Sequence, residues 1–91
     1  MSEDTADIVW EPAVKEKYAQ MLAKIPVFLR PVAEKNVGAK AVKIVKADGR
    51  LEITEKDMVV AFFEATPFGF HGPMKTDMEK VGVDYKKYGH Q

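Results

Sequence analysis

Few side chains in this sequence have the type and spacing that catalysis or metal binding needs. The two histidines, His71 and His90, lie far apart, and neither is accompanied by a carboxylate pair at ligand spacing. A histidine base also needs a neighbouring group that orients it, and the sequence nominates none. The lack of cysteine excludes a thiolate nucleophile, a disulfide and an iron–sulfur cluster held by this chain. We therefore predict no catalytic residue, no metal and no cofactor.

Arg30 and Trp10 are the two side chains best suited to recognising a ligand. The Arg30 guanidinium can hold a carboxylate such as a propionate through two parallel hydrogen bonds, and Trp10 can stack on a flat tetrapyrrole ring. Each also has a structural interpretation, which we favour. Trp10 would be a hydrophobic anchor that closes the core, and Arg30 would fix the corner at Ile25-Pro26 through a salt bridge or a backbone carbonyl.

The composition predicts one globular domain without a strongly charged partner. The 91 residues are 46% hydrophobic, enough for a single core. Lys plus Arg and Asp plus Glu both count 14, which argues against nucleic acid or an anionic membrane as the partner. No apolar run reaches the roughly 18–20 residues of a membrane span, and Met1-Ser2-Glu3-Asp4 is unlike a signal peptide. We expect a cytoplasmic protein.

Hydrophobic periodicity predicts an all-α fold. The predicted helices span residues 12–25, 31–47 and 55–65, with a short helix at 75–81. We expect them to form a small orthogonal bundle of three principal helices, a short fourth C-terminal helix and an irregular tail. No internal repeat is visible in the sequence.

Prolines set the expected boundaries in the first third of the chain. Pro12 begins the first helix, and Pro26 ends it because the residue before a proline is disfavoured in the α region. Pro31 leaves two alternatives for residues 26–31. They form either a 3₁₀ turn before a helix that starts at Pro31 or the first turn of one helix that begins near Pro26.

Capping residues set the later boundaries. Gly49 and Gly82 are expected to end their helices in the left-handed conformation. Thr54 and Asp57 have the spacing of a capping box at the start of the third helix. Residues 51–53 are too few for a stable strand and predict an extended connector, and the composition of residues 68–73 predicts a loop.

The predicted core collects the apolar side chains on the inner faces of these elements. It comprises Trp10, Val14, Tyr18, Leu22, Ile25, Phe28, Val37, Ala41, Ile44, Val45, Leu51, Ile53, Val59, Phe62 and Phe63.

Three short motifs together resemble one known family. They are Trp10-x-Pro12-Ala13, then Ile25-Pro26-x-Phe28-x-Arg30, then Ile53-Thr54 followed by Val59, Val60 and Ala61. These residues resemble the small all-helical C-terminal domain (PCP_red type) of light-independent protochlorophyllide reductase, here as a free-standing protein. The resemblance covers residues 10–63 and implies a helical fold and an association with a redox or tetrapyrrole enzyme. It does not imply reduction by this chain, because that enzyme's cluster ligands and pigment site are expected in its large upstream domains.

The resemblance divides the chain into three parts. Residues 1–9 are expected to be a flexible N-terminus, residues 10–66 the protochlorophyllide-reductase-like helical domain, and residues 67–91 a C-terminal extension. The extension either completes the fold or forms a partner-facing surface, and the sequence leaves both open.

A second resemblance implies another class of function. Ala41-Val42-Lys43-Ile44-Val45, Gly49-Arg50 and Ile53-Thr54-Glu55-Lys56-Asp57 resemble the second half of a histone fold. That resemblance implies a dimeric nucleic-acid binder with Arg50 and Lys46 on the phosphates. The acidic residues beside this loop weigh against it, since affinity for DNA follows the number of phosphates neutralised. A histone-fold-like binder and a tetrapyrrole-binding carrier are the two alternatives to our main hypothesis.

The main hypothesis is a non-catalytic protein-interaction module. Interface energy concentrates in aromatic and arginine side chains. The candidate partner-binding residues are therefore Arg30 and Lys35 near the start of the second helix, Phe68 and Phe70 on the glycine-rich segment, and Tyr85 in the tail. A protein partner is expected, and the oligomeric state is not specified by the sequence.

Overall fold

The computed structural model describes residues 8–90 of the chain, and these residues are mostly α-helical, as predicted. Residues 1–7, most of the N-terminus predicted to be flexible, lie outside the described residues. In chain order the elements are β1 (Val9–Trp10), α1 (Pro12–Ala23), a 3₁₀ turn (Val27–Leu29), α2 (Arg30–Ala47), β2 (Glu52–Ile53), α3 (Glu55–Ala65), a 3₁₀ turn (Phe68–Phe70), α4 (His71–Val81) and a 3₁₀ turn (Tyr85–Tyr88).

Local signals placed several helix ends correctly. Pro12 is the first residue of α1, and Gly49 and Gly82 follow α2 and α4 with φ of 69° and 81°. At the start of α3 the capping box is present, with the Thr54 backbone N–H donating to the Asp57 carboxylate at 2.9 Å. Such ends are predictable because each is decided by groups within a few residues of the helix terminus.

The start of α4 differs from the prediction. The helix begins at His71 rather than at residue 75, and the segment predicted as a loop is a 3₁₀ turn followed by the first helical turn. Pro73 lies in that first turn, where its missing N–H removes no intrahelical bond. Proline and glycine therefore marked a helix start here and not a loop.

The connector after α2 pairs with the N-terminus. Glu52 and Ile53 form a two-residue parallel bridge with Val9 and Trp10. Backbone bonds from Val9 N to Leu51 O and from Glu11 N to Ile53 O, both 3.0 Å, extend the pairing. The predicted connector is therefore a short strand, because a partner distant in sequence supplies the backbone bonds that so short a segment lacks alone.

The described residues contain a structural repeat, contrary to the sequence analysis. Each half has the order strand, helix, corner, helix: β1–α1–α2 in the first half and β2–α3–α4 in the second. The parallel pairing of β1 with β2 joins equivalent positions of the two halves. Most side chains differ between the halves, so the sequence alone does not display the repeat.

The core joins both halves and includes the C-terminal extension. Most of the predicted core residues are buried or packed against the core. Phe28 and Leu51 were predicted to be buried, but they are 79% and 63% exposed. The extension contributes Met74, Met78, Val83 and Tyr85 to the buried cluster. Residues 67–90 thus add four side chains to the hydrophobic core.

Candidate functional site

The first corner turns the chain from α1 into α2. After Pro26 the chain makes one 3₁₀ turn, closed by a bond from Leu29 N to Pro26 O of 2.9 Å. Arg30 then points back to the end of α1. Its Nε donates to Leu22 O at 2.9 Å and to Ile25 O at 3.2 Å, and its Nη2 donates to Ile25 O at 2.8 Å and Ala23 O at 3.3 Å. The guanidinium thus donates to carbonyls at the end of α1, where Leu22 O also accepts from Ile25 N at 3.0 Å.

The second corner, from α3 into α4, repeats this construction. Pro67 begins a 3₁₀ turn closed by Phe70 N to Pro67 O at 2.9 Å. His71 takes the position of Arg30, with its Nε2 3.1 Å from Phe63 O and 2.8 Å from Thr66 O. Because both neighbours are carbonyl oxygens, Nε2 carries the hydrogen and donates it.

The two corners match residue by residue at a separation of 41 positions. Pro26 and Pro67 have φ/ψ of −51°/140° and −57°/145°. Arg30 and His71 have −60°/−44° and −67°/−33°. Both side chains reach the carbonyls five and eight residues before them. An arginine and a histidine therefore fulfil the same local role in the two halves.

An apolar groove with a volume of about 450 Å³ lies between the corners. Sixteen of its 17 lining residues form eight pairs separated by the same 41 positions. The pairs are Met21 and Phe62, Lys24 and Ala65, Ile25 and Thr66, Pro26 and Pro67, Leu29 and Phe70, Val32 and Pro73, Ala33 and Met74, and Asn36 and Asp77. Equivalent faces of the halves therefore meet across the groove. A rotation of about half a turn produces this arrangement, whereas a translation would set the front of one half against the back of the other.

Large apolar side chains are exposed at both corners. Phe28, Phe68 and Phe70 are 79%, 87% and 65% exposed, and Val27 and Leu29 add to them. We call the groove and the two bordering turns, Val27–Leu29 and Phe68–Phe70, the corner face. Isolated exposed apolar residues are ordinary, but a contiguous patch marks a binding site.

The structure places some of the predicted partner-binding residues at the corner face and the others outside it. Phe70 lines the groove and Phe68 lies in the same turn. Lys35 is exposed on α2. The Arg30 guanidinium is engaged by backbone carbonyls, in agreement with its structural interpretation. Tyr85 is buried and donates its hydroxyl hydrogen to Glu79 at 2.8 Å, so it does not belong to the surface.

Phe28 is the site residue that the sequence analysis missed. A phenylalanine two positions after a proline was assigned to the core because aromatic residues usually fill small cores. The signal that identifies its surroundings is the repeated spacing of a proline and a basic or imidazole side chain, Pro26 with Arg30 and Pro67 with His71. That repetition marks two equivalent corners.

Trp10 is used within the fold. Its ring stacks on Tyr18 with a centroid separation of 4.2 Å and an interplanar angle of 15°. The Tyr18 hydroxyl donates to Glu34 O at 2.8 Å. Burial, together with the nearby Glu34 charge, raises the pKa of Tyr18 to about 12. One face of the indole is therefore covered by a phenol that stays protonated at neutral pH.

Arg50, which the histone resemblance places on a phosphate, binds carboxylates of its own chain. Its two terminal nitrogens contact Asp57 at 2.9 and 2.7 Å, and Nη2 also contacts Asp48 at 3.0 Å. Burial raises the pKa of Asp57, but hydrogen bonds from Arg50 and Thr54 outweigh it, and the net pKa is lowered. This network joins the β2 connection to the start of α3.

Replacing Asp57 with asparagine is expected to lower the free energy of unfolding at neutral pH by about 2 kcal/mol, since a buried charged hydrogen bond and part of a cap are lost. The folded-state pKa of Asp57 lies below the unfolded value of about 3.9. Its contribution is therefore fully present above the unfolded pKa and is lost as the pH falls through the folded pKa. Urea unfolding of both proteins at several pH values should show a constant difference above about pH 5 that shrinks under acid.

The matched control for Asp57 is Asp48→Asn, because Asp48 contacts the same guanidinium from an exposed position. We expect a loss below about 0.5 kcal/mol for this control. A difference between wild type and Asp57→Asn that persists unchanged at the lowest pH would contradict the assigned role of the Asp57 charge.

The described residues contain neither a membrane-spanning helix nor a cluster of metal ligands. None of the helices within residues 8–90 combines the length and apolar character needed to cross a bilayer. Within the same residues, no three His, Asp or Glu side chains are grouped so that they would hold a metal ion.

Comparison of the chain with protein-family models, curated proteins and solved structures yields no match.

Proposed function

We propose that this chain is a non-catalytic protein-interaction module that binds protein through its corner face. The observation that carries the proposal is the apolar groove of about 450 Å³ between two corners that expose three phenylalanines. Such rings are costly to leave in water, and interface energy concentrates in aromatic side chains that enter apolar pockets.

The non-catalytic character is supported by the use that the fold makes of its perturbed ionisable groups. Shifted pKa values often mark catalytic sites. Here Tyr18 bonds a helix carbonyl, Asp57 caps α3 and pairs with Arg50, and Tyr85 bonds Glu79. Each of these groups already has a structural partner inside the chain.

The partner class that we infer is a redox or tetrapyrrole enzyme. This inference is supported by the resemblance of residues 10–63 to the PCP_red-type helical domain of light-independent protochlorophyllide reductase. The module would act as an accessory part of such an enzyme, with the chemistry carried out by the partner.

Site-specific photo-crosslinking tests the binding surface. A photoreactive phenylalanine analogue is placed at Phe70 in one variant and at Leu51 in another, since these side chains are similarly exposed, 65% and 63%. Leu51 precedes β2, whereas the corners follow the far ends of α1 and α3, about 18 Å away along a 12-residue helix. We expect protein adducts in native cells from Phe70 and few from Leu51.

The control for this experiment carries the analogue at Phe70 together with Leu29→Asp. The aspartate places a charge in the groove. Adducts that persist in this variant, equal adducts from Phe70 and Leu51, or no protein adduct from Phe70 would each refute the proposed function.

A tetrapyrrole-binding carrier is the second candidate, favoured by one observation. The volume of the groove falls within the range of roughly 300–1,000 Å³ that is usual for small-molecule sites, and its lining is mainly apolar. A visible-absorbance titration with a free-base porphyrin tests it. Saturable 1:1 binding that Leu29→Asp abolishes supports a carrier, and an unchanged spectrum excludes one.

A further inference from the structure

The two corners differ at the centre of their 3₁₀ turns. The flanking positions are apolar in both corners: Val27 is equivalent to Phe68, and Leu29 is equivalent to Phe70. At the centre, Phe28 in the first corner is equivalent to Gly69 in the second. Phe28 is 79% exposed. A methyl group added at Gly69 would meet no atom within 4 Å apart from its own residue and its two chain neighbours. One corner therefore carries a projecting ring where the other leaves open space.

This asymmetry makes the corner face complementary to itself. The eight equivalent pairs that line the groove are the arrangement that an approximate two-fold axis through the groove would produce. A second copy can be laid face to face about a two-fold axis that lies in the plane of the face, at right angles to the line joining the corners. This placement sets the first corner of each copy over the second corner of the other. Such a two-fold contact is isologous, so each contact occurs twice. Phe28 of each copy would then face Gly69 of the other.

The exposed apolar area agrees with the size of a stable dimer interface. From the exposed fractions of Phe28, Phe68 and Phe70, the three rings present about 450 Å². Three aliphatic side chains of the same face are also exposed, namely Val27, Leu29 and Val32. Together the six side chains expose about 700 Å² at the corners, close to the ~800 Å² that each partner contributes to a standard interface, and three of them, Leu29, Val32 and Phe70, line the groove itself.

The charges of the groove fit the same partner. Among its lining residues only Lys24 and Asp77 are charged, and their charges are opposite. A face with one cation and one anion meets a copy of itself without a net like-charge repulsion. A strongly acidic or basic partner would find no matching charge here.

We propose that the corner face binds a second copy of this chain, with Phe28 of each copy seated over Gly69 of the other. This inference rests on the proposed function, because it names a second copy as the protein that the corner face binds; a redox or tetrapyrrole enzyme would then bind the dimer at another surface. The self-association is symmetric and buries the exposed phenylalanines of both copies.

Sedimentation equilibrium over about 1–200 µM protein tests the dimer. The wild type is expected to dimerise, and Phe28→Lys and Gly69→Glu are each expected to weaken dimerisation by about tenfold or more. The matched control is Leu51→Lys, which replaces an exposed apolar side chain outside the corner face and should leave the dimer unchanged. Circular dichroism checks the fold of each variant, which should be retained because positions 28 and 69 are exposed.

Mixing the two weakened variants provides the decisive measurement. In a mixed dimer, the lysine introduced by Phe28→Lys would face the glutamate introduced by Gly69→Glu, and the second contact keeps the native Phe28 and Gly69. We expect the 1:1 mixture to associate at least about tenfold more tightly than either variant alone.

A wild type that stays monomeric throughout the concentration range overturns the inference, as does a dimer that neither variant weakens or a mixture that shows no recovery. The proposed function is refuted by a different result from the one that overturns the self-association. If the wild type is monomeric but the analogue at Phe70 still captures a different protein in native cells, the interaction module stands and the self-association does not. A monomer without protein adducts refutes both.

Discussion

Truncation of Phe62 to alanine is expected to lower the free energy of unfolding by about 3–5 kcal/mol, because it removes a large buried ring and leaves a cavity. Phe62 is 2% exposed and meets Tyr18 edge to face at a centroid separation of 6.0 Å. Its position at the base of the groove, where both halves of the fold meet, limits how far the surroundings can collapse. The loss would be a large share of the roughly 5–15 kcal/mol that stabilises an ordinary domain.

Urea unfolding followed by circular dichroism measures this effect, and Phe28→Ala is the matched control. The same side chain is removed in both variants, but Phe28 is 79% exposed, so its loss should change stability by less than about 0.5 kcal/mol. A loss below about 1 kcal/mol for Phe62→Ala would show that the core assignment is wrong. For Phe28→Ala the measurement is made well below the concentration at which the chain dimerises.

Replacing Arg30 with methionine is expected to lower the free energy of unfolding by about 2–3 kcal/mol. The guanidinium donates to the carbonyls of Leu22, Ala23 and Ile25. Methionine preserves much of the aliphatic stem but removes these donors. Leu22 O keeps its bond from Ile25 N at 3.0 Å, whereas Ala23 O and Ile25 O lose the donors that the guanidinium gives them. Among the residues that the structure describes, Arg30 is the side chain that bonds this corner back to α1, so the variant loses that connection.

Thermal and urea unfolding measure the Arg30 effect against two comparison variants. Lys35→Met removes an exposed cation from the same helix, and its effect should be below about 0.5 kcal/mol. His71→Leu removes the equivalent contact in the second corner and should cost about 1–2 kcal/mol, since a neutral donor forms weaker bonds than a guanidinium. If Arg30→Met behaves like Lys35→Met, the carbonyl contacts do not stabilise the corner.

Much of the fold was predictable from the sequence, and the reason is local. Pro12 at a helix start, Gly49 and Gly82 in the left-handed conformation, and Thr54 with Asp57 in a capping box are all determined by neighbours within a few residues. Hydrophobic periodicity likewise identified most of the inner faces of the helices. The all-α class and the limits of α3 follow from such signals.

The errors concern residues whose environment is created by distant parts of the chain. Leu51 was assigned to the core together with Ile53 because both are on the apolar side of the alternating residues 51–53. In the structure Leu51 precedes β2 and is exposed, whereas Ile53 is buried. Met74 and Met78 belong to the core because α4 packs on α1, where Lys17 donates to Gly82 O at 2.8 Å. Residues 68–73 have the composition of a loop, and the bond from His71 back to α3, together with the 3₁₀ turn after Pro67, shows them to be part of a second corner.

The candidate site was the part least accessible to sequence reasoning. Phe68 and Phe70 were candidates because two aromatic residues on a glycine-rich segment are costly to expose unless they dock, either on the core of this chain or on a partner. The groove beside them was not predicted, because it is lined jointly by residues such as Leu29 and Phe70 that come from halves whose sequences differ. By itself the sequence determined where helices begin and end, since those positions depend on backbone preferences and caps within one turn. The tertiary structure alone decided that two equivalent corners face each other, because burial depends on which helix faces meet, and that is settled by contacts between residues about 40 positions apart.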